Sequence, residues 1–402
     1  MVVKINDICK NVFSGGTPNR KRLEYYKGGN IPWLNTGEIK FNRIYKTEQH
    51  ITEDGFNSSS AKNVPINSVI VAMYGATAAR VAINKIKLTT NQACCNLVID
   101  EKKADYRYVY YYLCYKYHHL ASLANGGAQQ NLNTQQIKHY SITIPNLEKQ
   151  KKIADVLSDI DDKIEINNQI NDNLFELLKI EFKTKFYNKN SDAKLLDYIS
   201  NTIGGDWGKE LPVDNYNTKV YCVRGADIPN MEYGNKGNAP TRYILEKNYN
   251  NKKLKPNNII VEISGGSPTQ STGRTAYITE NILNMYDAPL LCTNFCRAIE
   301  TKKNIYAPFV YMYLTLMYED DIFFNWENGT TGIKNLALND LLLNIEITKP
   351  NEEELNRYYI LFNSIMNKIS NNSNENIKLE ILRDTLLPKL MNGEIDLDKI
   401  EI

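Results

Sequence analysis

The chain has 402 residues, more than one ordinary hydrophobic core holds, and 42% of them are hydrophobic, so the sequence predicts two or three globular units. The charged fraction of 23% excludes a fibrous or disordered chain, and no stretch approaches the roughly 20 apolar residues of a membrane span. A net charge of +2 is low for a dedicated nucleic-acid binder. If the chain binds DNA, its basic residues must be concentrated locally, or partner subunits must contribute.

The cysteines and histidines predict neither a metal site nor an export signal. Seven cysteines are scattered without a CxxC pair, and there are only four histidines, so a zinc site is not expected. The first 16 residues contain no apolar core of signal-peptide length. Together with the scattered thiols, this predicts a protein of the reducing cytoplasm.

The first half contains both strand and helix signals. Residues 64–74 form a polar turn followed by an apolar run, which predicts a strand that ends at Gly75. Residues 79–84 predict the next strand of a hairpin. Residues 106–120, with tyrosine on most faces, predict a helix. A β-rich core with a few helices makes an α+β unit.

The chain repeats itself loosely, with a period of about half its length. In the first half the repeated blocks are residues 14–18, 31–39, 69–75, 90–94, 108–113, 125–132 and 142–145. Their counterparts, in the same order, are residues 203–207, 220–228, 259–265, 292–296, 309–314, 328–336 and 345–350. Chance similarity between Asn-, Ile- and Lys-rich segments is the alternative, and seven blocks in one order argue against it. The repeat predicts a duplicated domain, each copy followed by a helix.

Each copy is followed by the pattern of a long amphipathic helix. The first apolar stripe consists of Ile153, Leu157, Ile160, Ile164, Ile170, Leu174, Leu177, Leu178, Phe182 and Phe186. The second consists of Leu355, Phe362, Ile365, Ile369, Ile377, Leu379, Leu382 and Leu386. The spacing is that of a coiled-coil seam, and a helix of roughly 38 residues is about 55 Å long. Pro388 is expected to stop or kink the second helix.

Two such helices in one chain are predicted to pair antiparallel and to hold the two globular units apart with pseudo-two-fold symmetry. DNA-binding proteins use this symmetry to place two recognition elements on two half-sites, and here the half-sites should differ because the two copies differ. Asparagine-rich patches interrupt both helices at residues 167–171 and 371–376. Two interpretations stay open: buried asparagines that set the register, or asparagines that face solvent.

The predicted fold is therefore α+β, with two β-rich globular domains separated by two long antiparallel, coiled-coil-like helices. The predicted division is residues 1–145 for the first globular domain and 146–187 for the first long helix. Residues 188–350 form the second globular domain, and residues 351–402 form the second long helix and the tail.

The sequence contains no recognisable active site. It lacks the Asn-Pro-Pro or Asp-Pro-Pro aromatic tetrapeptide that an amino-methyltransferase needs to hold a flipped base. It also lacks a GxGxxG that follows a strand and the GxxxxGK[ST] of a P-loop ATPase. Glu101-Lys102-Lys103 fits the end of a nuclease motif without an upstream aspartate and is interpreted as a solvated turn. We therefore predict a non-catalytic chain.

Several residues are candidates for DNA contacts, because arginine and lysine bind phosphates while glutamine can pair with adenine edges. In the first copy they are Arg20, Lys21 and Arg22 in a basic loop, Tyr74 and Arg80 around a glycine turn, and Gln129 and Gln130 in an amide-rich loop. In the second copy they are Arg224, Arg242, Arg274 and Lys334. The alternatives are solvated turns and a structural loop that fixes the domain to its helix.

A known family is resembled by the block Gly15-Gly16-Thr17-Pro18, the segments 28–33, 128–133, 144–154 and 157–164, and the tail 382–395. They are similar to the specificity subunits of Type I restriction-modification complexes, and the resemblance covers essentially the full chain. It implies two target recognition domains that read a bipartite, double-stranded DNA sequence with a fixed spacer. It also implies two partner methyltransferase subunits that modify adenine N6, and restriction subunits that cleave foreign DNA. S-adenosylmethionine, ATP and Mg²⁺ would bind those partners, and no cofactor is expected on this chain.

The second half departs from the family pattern. Residues 204–210 replace the Gly-Gly-Thr-Pro form, and residues 351–355 lack the counterpart of Gln150. We therefore expect the second domain to belong to a different recognition subtype. The competing hypotheses are a stand-alone DNA-binding or phage-defence adaptor built on the same fold, and an enzyme whose site is not recognisable.

Overall fold

The computed structural model describes residues 1–124, 131–187, 192–267, 269–329 and 334–399. The chain divides into two compact units: unit 1 is Met1–Asp162 with Leu379–Ile402, and unit 2 is Lys163–Lys378. Both units mix strands and helices, which confirms the predicted α+β class. Within the described ranges, no helix is both long enough and apolar enough to cross a membrane.

In its described residues, unit 1 contains a β-rich core with four short helices. Its strands are β1 (Val2–Lys4), β2 (Cys9–Ser14), β3 (Ile31–Leu34), β4 (Asn42–Ile44), β5 (Gln49–Ile51), β6 (Asn63–Val64), β7 (Val69–Ala72), β8 (Val81–Asn84), β9 (Leu88–Thr90), β10 (Cys94–Ile99) and β11 (Ser141–Thr143). Its short helices are α1 (Glu53–Asn57), α2 (Tyr106–Tyr115), α3 (Tyr117–Ser122) and α4 (Thr134–His139). The long helix α5 (Leu147–Lys185) follows and continues into unit 2.

Two sheets form the body of unit 1, in the orders β2-β10-β7-β8-β4 and β5-β3-β9-β6. Strands β7 and β8 are antiparallel and fully buried, which confirms the predicted hairpin. The single helix predicted for residues 106–120 is two helices that break at Lys116. The Asp105 carboxylate begins α2 by accepting a hydrogen bond from the Arg107 backbone N–H at 2.8 Å.

Unit 2 contains the second copy. Its strands are β12 (Ala193–Lys194), β13 (Ile199–Gly204), β14 (Tyr216–Val223), β15 (Thr241–Leu245), β16 (Ile259–Glu262), β17 (Ser264–Gly265), β18 (Thr275–Tyr277), β19 (Leu290–Cys292), β20 (Cys296–Thr301), β21 (Glu327–Asn328), β22 (Lys334–Leu336) and β23 (Glu346–Ile347). Its helices are α6 (Ile228–Glu232), α7 (Glu246–Lys252), α8 (Glu280–Asn284), α9 (Ala307–Glu319), α10 (Leu338–Asn344) and the start of the long α11 (Glu352–Asn392).

The sheets of unit 2 reproduce those of unit 1. The order β13-β20-β16-β18 matches β2-β10-β7-β8, and β15-β14-β19 matches β5-β3-β9. In both copies this second sheet contains one parallel pair, β3 with β9 in unit 1 and β14 with β19 in unit 2. Even single hydrogen bonds repeat: Met73 N–H donates to Ala93 O, and Ile263 N–H donates to Phe295 O, both at 2.8 Å. The predicted internal repeat is therefore present in the tertiary structure.

The long helices α5 and α11 pack antiparallel, as predicted. Within unit 2, the Tyr358 hydroxyl of α11 donates to the Leu178 carbonyl of α5 at 3.1 Å. Within unit 1, Arg383 of α11 pairs with Asp161 of α5 at 2.9 Å. Each unit therefore contains part of both long helices, a feature that the four-segment division of the sequence does not include.

The buried face of α5 differs from the predicted stripe in its middle. Ile170 and Leu177 are 37% and 43% exposed, whereas Asn167 and Asn171 are almost completely buried. The stripe prediction assigned Ile170 and Leu177 to the seam because they are apolar, but the helical period places the two asparagines there instead. Leu382 of the second stripe is likewise exposed.

The buried asparagines form a hydrogen-bonded layer between the helices. Asn167 donates to Asn376 at 2.8 Å, and Asn372 donates to Asn171 at the same distance. Counted from the starts of α5 and α11, Asn167 corresponds to Asn372 and Asn171 to Asn376. Interchanging the two helices therefore converts one of these hydrogen bonds into the other. Of the two interpretations left open by the sequence, burial excludes solvent-facing side chains at these four positions.

The prediction that Pro388 stops or kinks α11 is wrong about the end of the helix, which runs on to Asn392. Proline has no backbone N–H, so the helix lacks the one hydrogen bond that position 388 would donate to the carbonyl four residues earlier. Only four helical residues follow Pro388, and one of them, Leu390, is buried in the core of unit 1. Packing of this last turn offsets the missing bond.

Candidate nucleic-acid interface

The parallel strands β3 and β9 end at the same edge of unit 1, and amide side chains follow both. Asn35 comes directly after β3, and Asn91 and Gln92 come directly after β9. The Asn91 amide donates to Asn35 Oδ1 at 3.2 Å, and the Asn35 amide donates to Gln49 Oε1 at 3.3 Å. We call Asn35, Gln49, Asn91 and Gln92 the amide edge.

The Gly15-Gly16 pair holds the basic loop against this edge. Gly15 N–H donates to Cys94 O at 3.1 Å, and Gly16 N–H donates to Thr90 O at 2.9 Å. A Cβ on Gly15 would overlap the Thr90 carbonyl, so only glycine fits this close approach. The fully buried Trp33 ring donates from Nε1 to the Gly16 carbonyl at 3.0 Å. The glycine pair is therefore a packing feature that positions the residues after it.

The predicted basic cluster lies on that loop, and all three side chains are exposed. The Arg20 guanidinium is 5.3 Å from the centre of the Trp33 ring and 3.5 Å from Asn35 Oδ1. Arg22 donates to the Tyr25 hydroxyl at 3.1 Å. In the described part of the chain, Arg20, Lys21 and Arg22 form no ion pair with a carboxylate. Their charges are available to an anionic ligand such as a phosphate.

Tyr74 and Arg80 lie at the neighbouring turn, which the Met73–Ala93 hydrogen bond joins to the loop that carries Gln92. The Tyr74 side chain is exposed, and Arg80 is half-buried. The Arg80 guanidinium has no carboxylate partner among the residues that the structure describes. Gln129 and Gln130 lie outside the described residues.

Unit 2 builds the same edge with other side chains. Arg224 follows β14 at the repeat position of Asn35, and Asn294 follows β19 at the position of Gln92. Gly205 makes a close approach like that of Gly15 in unit 1, since a Cβ at Gly205 would overlap the Thr293 carbonyl. Phe295, at the position of Ala93, is 57% exposed.

The predicted cations of unit 2 all bind carboxylates. Arg274 donates to both oxygens of the buried Glu262, at 2.9 and 2.6 Å, and these hydrogen bonds raise the pKa of Arg274. Arg224 pairs with the buried Asp227 at 3.0 Å. These charges are neutralised within the fold, so they offer less to a phosphate than those of unit 1.

Arg242 and Lys334 are held in the same way. The Arg242 guanidinium lies 3.9 Å from the centre of the Trp207 ring and pairs with Glu210 at 2.9 Å. Lys334 pairs with Glu327 at 2.8 Å. Burial alone would raise the pKa of Glu327, but the hydrogen bonds from Lys334 and from Thr272 bring it below its ordinary value.

The sequence of this duplicated chain matches the model of a known family. The model of the Type I restriction modification DNA specificity domain matches residues 1–176 and 192–381, nearly the whole chain. The chain belongs to this family. The resemblance found in the sequence is thereby confirmed.

One curated relative matches this chain over nearly its full length, and another matches less than half of it. The MjaIX specificity subunit of Methanocaldococcus jannaschii is 27% identical over 430 residues, covering 99% of this chain and 94% of that protein. The EcoR124I/EcoR124II specificity subunit of Escherichia coli is 26% identical over 180 residues, 44% of this chain and 43% of that protein. The Type I S subunit of M. genitalium superposes with a TM-score of 0.56 at 17% identity, covering 97% of this chain and 95% of that one. This last similarity shows the shared fold alone.

Sequence reasoning did not predict any of the four residues of the amide edge as a site. Gln92 and Asn294 lie within repeated blocks and directly after a strand, so their matching positions gave a usable signal. Gln49 and Phe295 gave none, because their exposure depends on packing from elsewhere in the chain. Among the described residues, no cluster of three or more His, Cys, Asp or Glu could hold a metal ion.

Proposed function

We propose that this chain is the non-catalytic DNA-reading subunit of a Type I restriction-modification complex. Each unit would read one half of a bipartite, double-stranded target through the edge at its parallel strand pair. Two methyltransferase subunits would bind the chain and modify adenine N6 with S-adenosylmethionine. Restriction subunits that use ATP and Mg²⁺ would join them to cleave unmodified foreign DNA.

The observation that supports this proposal most directly is the repetition of one backbone edge with two sets of side chains. Asn35 and Gln92 in unit 1 correspond to Arg224 and Asn294 in unit 2, on the same strand ends. A shared backbone suits a shared way of approaching DNA, while base-contacting side chains determine which sequence is read. Two such edges in one chain therefore favour a target with two different half-sites.

An apolar stripe on α5 supports the docking of partner subunits. Ile166, Ile170, Leu177 and Ile180 are all exposed, and their spacings of four, seven and three place them on one helix face. Contiguous exposed apolar surface of this kind marks interaction sites in water-soluble complexes. We expect the charged variant Ile166→Glu/Ile180→Glu to fold and to lose its methyltransferase partners in co-purification.

The proposal is tested by mapping N6-methyladenine across the source genome with and without the gene. We expect a gapped, bipartite motif to lose methylation on both strands in the deletion strain, and to regain it when the gene is restored. Unchanged methylation, with the partner methyltransferase genes expressed, would contradict the proposal and favour a stand-alone DNA-binding or defence adaptor.

A further inference from the structure

We propose that Gln49 and Gln92 read the adenine edge of A·T pairs in the half-site of unit 1, with Asn35 and Asn91 as positioning residues. This inference rests on the proposed function and names the chemistry of one of its two sites. Both glutamines are exposed at the amide edge and come from different segments of the chain, β5 and the loop after β9.

Each glutamine has one oxygen lone pair engaged and its NH₂ group available. Gln49 Oε1 accepts the hydrogen bond from Asn35, and Gln92 Oε1 accepts one from the Thr17 hydroxyl. Neither Nε2 group donates to any residue in the part of the chain that the structure describes. A carboxamide oxygen accepts two hydrogen bonds, so each side chain retains one acceptor and two donors. One donor and the acceptor of a glutamine match adenine in the major groove, where N7 accepts a hydrogen bond and the N6 amino group donates one.

The remaining contacts fix the orientation of this reading surface. Asn91 donates to Asn35 at 3.2 Å, and its own Oδ1 accepts from the Ala93 backbone N–H at 3.0 Å. The chain of amides is therefore anchored to the backbone of the loop and ends at Gln49. A side chain held in this way loses less conformational entropy when it binds than a free one does. The exposed Arg20 beside Asn35 supplies the positive charge that attracts the DNA backbone.

Residues 188–350 contain a single glutamine, Gln270, and the position of Gln92 is occupied by Asn294, so the second recognition domain cannot repeat the pair. Substitutions at Gln49 and Gln92 should therefore change one half-site and leave the other intact. This difference makes the inference testable in a single methylation map.

The experiment uses the full chain, expressed with its methyltransferase partners in a host without other adenine methylation. Gln49→Ala and Gln92→Ala are each compared with the wild type by genome-wide N6-methyladenine mapping. The control Gln135→Ala removes an exposed glutamine of α4, outside the proposed surface. We expect each test variant to accept other pairs at one A·T position of a single half-site, with a loss of preference of roughly ten-fold or more. The control should keep the wild-type motif.

Two further variants sharpen the assignment. Gln49→Glu keeps the size of the side chain but removes its donors, so preference at that position should move from adenine towards cytosine, whose N4 group donates. Asn294→Ala should affect the other half-site. The inference would be overturned if the glutamine variants relaxed the half-site that Asn294→Ala affects, if they relaxed a G·C position, or if both kept the wild-type motif. Each of these outcomes would leave the proposed function standing. A wild-type chain that directs no bipartite methylation would overturn both.

Discussion

Arg80 and Arg274 occupy the same position in the two copies and have opposite surroundings. The Ala72 N–H donates to the Arg80 carbonyl at 2.8 Å, and the Glu262 N–H donates to the Arg274 carbonyl at 2.9 Å, so the backbones coincide. The strand residue beside each arginine differs, alanine in unit 1 and glutamate in unit 2. Glu262 binds Arg274 through both oxygens, whereas Ala72 leaves the Arg80 guanidinium unpaired within the described ranges. The residue on the facing strand therefore determines whether the arginine at this repeated position is paired within the fold or remains available to a ligand.

The same contrast extends over both edges. In unit 1, Arg20 contacts the Trp33 ring and the Asn35 amide, and Arg22 contacts the Tyr25 ring and hydroxyl. In unit 2 each predicted cation pairs with a carboxylate. Duplication preserved the backbone while the electrostatics diverged. The predictions below test that divergence, from the largest expected effect to the smallest.

Replacing the two arginines by alanine should separate their roles most clearly. We expect Arg274→Ala to lower the free energy of unfolding of unit 2 by about 3 kcal/mol, because it leaves the buried Glu262 charge without a partner. Arg80→Ala should change the stability of unit 1 by less than about 0.5 kcal/mol. Chemical denaturation followed by circular dichroism measures both. The double variant Glu262→Ala/Arg274→Ala should recover much of the loss, and equal effects of the two single variants would contradict the comparison.

The glycine contacts should be equivalent in the two units, unlike the arginines. Gly15→Ala and Gly205→Ala each place a Cβ against a backbone carbonyl, and we expect each to cost about 1–3 kcal/mol. Each should also weaken methylation that depends on its own half-site. Gly37→Ala is the control, because a Cβ at Gly37 meets open space. An effect on one unit alone would show that the two edges are built differently.

The basic loop should dominate the salt dependence of DNA binding by unit 1. We expect Arg20→Ala, Lys21→Ala and Arg22→Ala each to reduce the slope of log affinity against log salt concentration by about 1, as the loss of a phosphate contact does. Arg242→Ala in unit 2 should leave the slope unchanged, since Glu210 and the Trp207 ring already engage that charge. Fluorescence anisotropy with the methyltransferase complex at several salt concentrations measures these slopes. A larger change for Arg242 than for Lys21 would reverse the comparison.

Unit 2 should carry a pH dependence that originates from Glu232. Burial raises the pKa of this carboxyl to about 7, against the opposing charge of Lys179. The folded state then binds more protons than the unfolded state between the ordinary pKa of 4.5 and about 7, so stability falls as pH rises through that window. We expect Glu232→Gln to remove this fall and to raise the melting temperature by a few degrees at pH 8 but not at pH 4. The exposed control Glu101→Gln should change neither value, and a wild-type curve that is flat over this window would contradict the assignment.

The sequence predicted those features that depend on local period and on order along the chain. The hairpin of β7 and β8, the long helices and the duplicated domain all follow from residues close to one another or from blocks in matching order. The antiparallel pairing of the helices followed from their equal length and apolar faces. The errors at Ile170, Leu177 and Pro388 arose where a small shift of helical phase, or packing of the last turn, outweighed the local rule.

By itself, the sequence determined the α+β class, the two copies, the helical pair and the family. Only the tertiary structure decided which side chains remain available for a ligand. The partner of a cation comes from another strand, as Glu262 does for Arg274, and the hydrogen-bond partner of Gln49 is Asn35, which follows a different strand. Such pairings depend on strand register and on contacts between distant segments. The periodicity of apolar residues does not predict these pairings, because it reports only the local structure of each segment.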